Sequence, residues 1–182
     1  MSGAVSSTSD VAPPPRAQRS HVSWLLATFF GIGFLKPGPG TWASAVTVLL
    51  WWLAAHRAYP ANLWVYSTLA AALVTIIGVP VCTTVAVESG VNDPGFAVID
   101  EVAGQLIALI AVPLEWQYIL GSFILFRGFD ILKPPPLRRL EKLPGGGGIM
   151  LDDVGAGIYV FILMQVLSYF HQLDLFYFHF SR

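Results

Sequence analysis

Five carboxylates and three cations stand out in an otherwise apolar chain: Asp100, Glu101, Asp130, Asp152 and Asp153, with Arg127, Lys133 and Arg138. Their types point to one chemistry. Carboxylates grouped without histidine or cysteine suit a hard, oxygen-seeking cation, and Mg2+ typically takes one or two carboxylates, waters and a substrate phosphate. Guanidinium forks and a point-charged ammonium suit the phosphate itself. Arg127 and Asp130 are three residues apart and share a helix face, and Lys133 follows three further on. A salt bridge between Arg127 and Asp130 and phosphate binding by Arg127 are both compatible with that spacing. Asp152 and Asp153, near a helix N-terminus, would gain about 0.3–1 kcal/mol from the helix dipole with no ligand at all. Asp130, at a C-terminal end, is opposed by that dipole. The run Gly145–Gly148 leads into the last helix and offers backbone N–H groups to an anion, those of Gly146 and Gly148 among them. Such a run also serves as a plain flexible loop.

Other chemistries fall away. His21, His56, His171 and His179 lie outside these groups, so a Ser-His-Asp or Cys-His system has no evident base. The His-near-Arg spacing of histidine-dependent lipid phosphate phosphatases is missing. There is no G-x-x-x-x-G-K-[ST] loop. The single Cys82 excludes an internal disulfide and fits a packed thiol in an apolar run. A net charge of −1 gives no sign of nucleic-acid binding.

The elements that must position these groups are helices. The chain has 182 residues, is 55% hydrophobic and only 12% charged, and has a mean hydropathy of +0.65. Its apolar runs approach or reach the roughly 20 residues that cross a bilayer core. We expect an all-α, polytopic membrane bundle of about four or five spanning helices, preceded by a short interfacial or half-inserted helix within Trp24–Leu35. A signal peptide ending near Ala43–Ala45 is the alternative there. Gly31, Gly33 and the immediate onset of another apolar helix argue against it. Residues 1–20 read as a disordered Ser/Pro-rich tail, 21–173 as one membrane catalytic domain, and 174–182 as an aromatic interfacial tail. The expected helices are Trp42–Ala55 (capped by Thr41), Leu63–Val87 with a kink at Pro80, Phe96–Pro113, Trp116–Leu132 and Asp153–His171. The basic, then glycine-rich stretch Leu137–Gly148 reads as loop.

If five helices alternate, then Lys36–Thr41, Glu88–Gly95, the start of the third helix, the end of the fourth and the start of the fifth share one side. Nearly all the charge of the chain's body lies there. Lys36, Lys133, Arg138, Arg139 and Lys142 make that side cytoplasmic by the positive-inside bias. Gly104 and Ala108 follow Asp100 at helical spacing, as Ala156, Gly157 and Val160 follow Asp153. Small residues allow close approach, so the third and fifth helices are expected to meet on their acid-bearing faces.

Four segments then acquire a family character. P-G-T-x-x-S at Pro39–Ser44, the pair Asp100-Glu101, F-R-x-x-D-x-x-K-P-x-P-x-R at Phe126–Arg138, and G-G-x-G-I-M-x-D-D-x-x-A-G at Gly145–Gly157 closely resemble the phosphatidylglycerophosphatase A family. The resemblance covers roughly Leu25–His171; the longer N-terminus departs from it. It implies a Mg2+-dependent enzyme of the bacterial inner membrane, with its site on the cytoplasmic face. The reaction would release the terminal phosphate of phosphatidylglycerophosphate to leave phosphatidylglycerol, within phospholipid biosynthesis. On that reading Asp100, Glu101, Asp130, Asp152 and Asp153 supply the metal ligands, and Arg127 and Lys133 complete the catalytic set. Lys36, Thr41, Ser44, Arg138, Gly146 and Gly148 contact the substrate, with the Lys36–Gly40 loop closing over the headgroup. Attack by water and an aspartyl-phosphate intermediate both remain open. Two alternatives are weighed: a CDP-alcohol phosphotransferase-like lipid enzyme, whose D-G-x-x-A-R signature is missing, and a small cation channel or transporter, whose acids would line the membrane depth rather than gather at one level.

Overall fold

The computed structural model describes residues 19–57, 62–141 and 143–180, with side chains as far as Phe170. The N-terminal tail through residue 18, Lys142 and the aromatic side chains after Phe170 lie outside the described residues. Among those described there are helices and no strand. They are α1 (His21–Ala27), a 3-10 turn (Ile32–Phe34), α2 (Pro39–Ala55), α3 (Leu63–Ser89), α4 (Ile99–Ala108), α5 (Trp116–Leu132), α6 (Leu137–Leu140) and α7 (Gly146–Phe180).

The N-terminal apolar run folds as expected, into a short helix and a turn. Ser20 caps α1 by accepting from Ser23 N–H. Glu88, at the end of α3, accepts from the Ser20 backbone at 3.0 Å and from the Trp24 indole at 2.7 Å, which ties α1 to α3. Helix α2 begins two residues before the expected cap. Gly38 takes the left-handed conformation at φ 65° and Pro39 fills the first turn, where its fixed φ suits the helix and its missing N–H costs nothing. Helix α3 runs unbroken through Pro80 and ends at Gly90 with φ 71°.

Helix α4 differs most from expectation. It covers ten residues rather than Phe96–Pro113, a rise of about 15 Å, roughly half of a bilayer core. It gives way to a turn in which Ala111 has φ 54°, followed by Pro113, which cannot continue a helix. The broken end is enclosed. Leu109 and Val112 are buried, Ser122 Oγ donates to the Ala108 carbonyl at 2.9 Å, and Gln165 Nε2 donates to the Ile110 carbonyl at 3.1 Å. Side chains of α5 and α7 thus satisfy carbonyls that a longer helix would have bonded itself.

Helix α7 starts at Gly146 rather than Asp153, so most of the expected glycine loop is its first turn. The reason is close packing. A Cβ at Gly146 would collide with the Val79 carbonyl, and one at Gly148 with the Leu143 carbonyl. Gly146 N–H donates to Thr83 Oγ1 at 2.9 Å, locking this turn onto α3. The stretch expected as a separate C-terminal tail continues α7 to Phe180. Another part of the expected loop is the single turn α6, whose buried Leu137 packs on Gly155.

Helix α4 is the hub, packing against α7 most extensively and also against α3, α2 and α5. The α4–α7 seam is made by the predicted small residues: Gly104 lies against the Phe126 ring and the Asp153 carbonyl, and Gly157 against the Gly104 carbonyl. Among the described residues two helices are long and apolar enough to cross a membrane, Leu63–Ser89 and Gly146–Phe170.

Candidate active site

The ends of α2, α4 and α5 meet α7 about two turns from its start. Asp100 and Glu101 occupy the first turn of α4, where N–H groups lacking helical partners favour negative charge. Asp152 and Asp153 face inward from α7, both buried. Arg127 and Asp130 lie in the last turns of α5, and Gly40 brings the start of α2 so close that a Cβ there would strike the Glu101 carboxylate. Close approach, rather than a turn, is what Gly40 provides.

Oxygens of Asp100, Glu101 and Asp153 lie within 4.8 Å of one another. At that spacing, with an effective dielectric near 20, each charged pair repels by about 3.5 kcal/mol. One nearby guanidinium offsets only part of this: Arg127 sits 2.5 Å from Asp130 and 3.7 Å from Glu101. Asp130 lies close enough to Asp153 for their charges to repel. Glu101 Oε2, Asp153 Oδ2 and Arg127 Nε are buried with no protein partner. Buried polar atoms ordinarily find partners. Oxygen donors left over around a shared centre fit a hard divalent cation, and a spare guanidinium N–H fits an anion beside it.

Asp152 belongs to a second group. Its Oδ2 accepts from Lys133 Nζ at 2.7 Å, and Lys133 also meets Glu141 at 3.3 Å. Lys133 closes α5 in the left-handed region at φ 44°, its N–H bonded to the Phe129 carbonyl. Partial burial pulls the Lys133 ammonium's pKa down, but Asp152 and Glu141 outweigh it and hold the pKa above its ordinary value.

Of the other expected residues, all but Ser44 stand further out or are otherwise engaged. Lys36 and Thr41 are exposed at the entrance to α2. Arg138 donates to the Lys133 and Leu132 carbonyls, capping α5. Gly146 and Gly148 N–H groups are bonded to Thr83 and to the Gly145 carbonyl, so they are engaged within the protein. Ser44 is fully buried, one helical turn below Gly40, and its hydroxyl has no protein partner.

Sequence reasoning passed over three residues. Gln105 follows Glu101 by one turn, is fully buried and leaves both ends of its amide without a protein partner. Glu141 falls in the stretch that reads as a basic, then glycine-rich loop, where a single acid draws no notice. Asp93, in the loop after α3, feels Lys133; burial raises its carboxyl pKa, and the lysine charge partly offsets this. The grouping of Glu88–Gly95 with the charged side was the available signal for Asp93. Gln105 carried none, since a single amide in an apolar helix has no spacing to read.

Apolar helices of membrane length, with carboxylates, a guanidinium and an ammonium gathered at one end, fit the class of helical lipid phosphatases. Comparison with known proteins resolves the class to a family. The model of the family described as phosphatidylglycerophosphatase A matches residues 25–168. A Haemophilus influenzae protein named phosphatidylglycerophosphatase A is 42% identical over 147 residues, 80% of this chain and 88% of the relative. One of the same name from Escherichia coli is 37% identical over 145 residues, 79% and 81% of the two chains. A Bacteroides thetaiotaomicron protein named putative phosphatidylinositol-3-phosphatase is 40% identical over 152 residues, 81% of this chain and 94% of the relative. No solved structure matches the chain. The chain belongs to the phosphatidylglycerophosphatase A family and is a phosphatase. Neither the phosphotransferase nor the channel alternative is favoured by these relatives.

Proposed function

We propose that the protein hydrolyses the terminal phosphate of phosphatidylglycerophosphate with Mg2+, at the cytoplasmic face of a bacterial inner membrane. The observation that carries this is the three-carboxylate cluster with its unpartnered oxygens beside Arg127, in a chain of this family. Asp100, Glu101 and Asp153 would hold the cation, with Asp130 next to them. When bound, the cation would polarise a phosphoryl oxygen and acidify a water. Arg127 presents its free Nε to the phosphate while Asp130 fixes its orientation. The guanidinium offsets charge that redistributes over the phosphoryl oxygens. Lys133, steered by Asp152 and Glu141, adds positive charge at the mouth.

In the bilayer, α2, α3, α5 and α7 cross, and residues 99–115 make a fifth passage of which only α4 is helical. Irregular backbone at membrane depth is tolerated where protein encloses it, and the donors from Ser122 and Gln165 support that arrangement.

The test is inorganic phosphate release by purified protein from phosphatidylglycerophosphate in mixed micelles, with Mg2+ and then with chelator. Release that stops on chelation and returns with Mg2+ is expected. No release from folded protein would sink the assignment. Because one relative is named for a phosphoinositide, the same assay with phosphatidylinositol 3-phosphate is run beside it; a higher kcat/KM there would move the headgroup while leaving the chemistry in place.

A further inference from the structure

Two apolar cavities flank α4, the helix that carries Asp100 and Glu101. The larger, about 410 Å3, sits between α2, α3 and α4, with Thr47, Trp51, Ser67 and Leu106 among its walls. The smaller, about 150 Å3, reaches Leu73 and Ile99. Phe29 and Val102 line both, so the two adjoin along one track on this side of α4. Its upper end reaches the first turn of α4, the same turn that carries Asp100 and Glu101, through Ile99 and Val102. Near its lower end the Trp51 indole donates to Ser67 Oγ at 2.8 Å, bridging α2 and α3. Elsewhere these two helices pack on α4 rather than extensively on each other, so the track faces sideways between them. The α3 surface beside it is apolar and exposed at Leu69 and Ile76.

We infer that this track holds an acyl chain of the lipid whose phosphate reaches the acidic cluster; the inference rests on the lipid-phosphatase reading. From top to bottom the molecule presents carboxylates and a guanidinium, then Ile99 and Val102, then an apolar slot. An amphiphile with a phosphate at one end and hydrocarbon at the other has the same order. A carbon-lined cavity has few polar partners for water, and the larger chamber falls within the roughly 300–1,000 Å3 range of ligand sites. The sideways opening lets a chain enter from the bilayer without its headgroup leaving the site's level.

Two measurements test it on the full chain in nanodiscs. The first is photolabelling, without metal, by phosphatidylglycerophosphate and by phosphatidylglycerol carrying a diazirine in one acyl chain. Adducts concentrated at Thr47, Ser67, Val102 and Leu106 are expected; labelling spread over Leu69 and Ile76 overturns the inference. The second compares dihexanoyl and dioleoyl substrates. Ala70 lines the larger cavity. Ala70→Trp should lower kcat/KM for the long-chain lipid about tenfold, the worth of about two methylenes' burial, while leaving the short-chain lipid within about twofold. Leu69→Trp, outside the track, should change neither. Equal losses on both lipids with Ala70→Trp would overturn the inference. If wild type releases no phosphate yet labels in the track, the acyl site stands and the phosphatase reading falls; release with labelling elsewhere does the reverse.

Discussion

Two cation–carboxylate groups stand side by side in this molecule and differ mainly in how far the cation and its second acid open to solvent. The inner one joins Arg127 to Asp130 and Glu101, all with side chains no more than 15% exposed. The outer one joins Lys133 to Asp152 and Glu141; Asp152 is buried at 7%, but Lys133 stands at 24% and Glu141 at 47%. Sequence spacing draws them alike, as acids near a base at a helix end. Depth separates their worth. Breaking a buried pair leaves an uncompensated charge and costs about 3–5 kcal/mol, whereas an exposed pair contributes about 0–1 kcal/mol. The inner group also leaves donors and acceptors unpartnered beside the three-carboxylate cluster. It is therefore built to receive something, while the outer group pairs Lys133 on both sides and leaves Asp152 Oδ1 as its buried unpartnered atom.

The sharpest way to break this contrast is to remove an inner acid. Asp153→Asn and Asp130→Asn should each lower kcat at least about a thousandfold, the upper range for losing one electrostatic contributor in a dry site, while the protein still inserts and folds. Phosphate release across a Mg2+ titration checks it. Near-normal rates at low Mg2+ would take that residue out of the ligand set. Arg127→Lys comes next, with an expected loss of about a hundredfold in kcat/KM, because an ammonium cannot offer Asp130 and a phosphate a fork together. An unchanged kcat/KM would leave Arg127 a purely structural ion pair. Lys133→Ala should cost about tenfold, mostly in KM, since a partly exposed ammonium steers more than it holds.

Much of this contrast was legible before the fold, and the parts that were not have physical causes. The i, i+3 spacing put Arg127 beside Asp130, and the structure pairs them. Small residues announced the α4–α7 seam, which Gly104 and Gly157 make. Helix α5 was bounded correctly because Glu115-Trp116 and the triple proline punctuate it. What sequence could not show was how far apart the five acids end up. Asp152 and Asp153 are neighbours in the chain, yet one meets Lys133 and the other the metal-binding-type cluster, because successive side chains on a helix diverge by about 100°. Gly146–Gly148 read as loop because glycine has weak helix propensity, whereas here contact with Val79 and Thr83 overrides it; Gly145 keeps its turn, at φ 67°. The shortness of α4 was hidden for a related reason: its broken end is completed by Ser122 and Gln165, which lie far along the chain.

The smallest expected effect belongs to Glu141, and it tests whether the outer group matters as a pair or only as a lysine. Lys133 keeps its 2.7 Å contact with Asp152 when Glu141 is neutralised. Glu141→Gln should therefore change kcat/KM by less than about twofold and stability by less than about 0.5 kcal/mol. The pH profile supplies the sign. The folded-state pKa of Lys133 lies above its unfolded value. Its contribution is thus fully present below that unfolded value, about 10.4, and is lost only as pH rises through the higher folded one. Between neutral pH and about pH 9 the rate should show no titration from this residue, in wild type or in Glu141→Gln. An alkaline limb that moves toward neutrality in Glu141→Gln would mean that Glu141, not Asp152, sets the charge at the mouth. The outer group would then be a working part of the site rather than its rim.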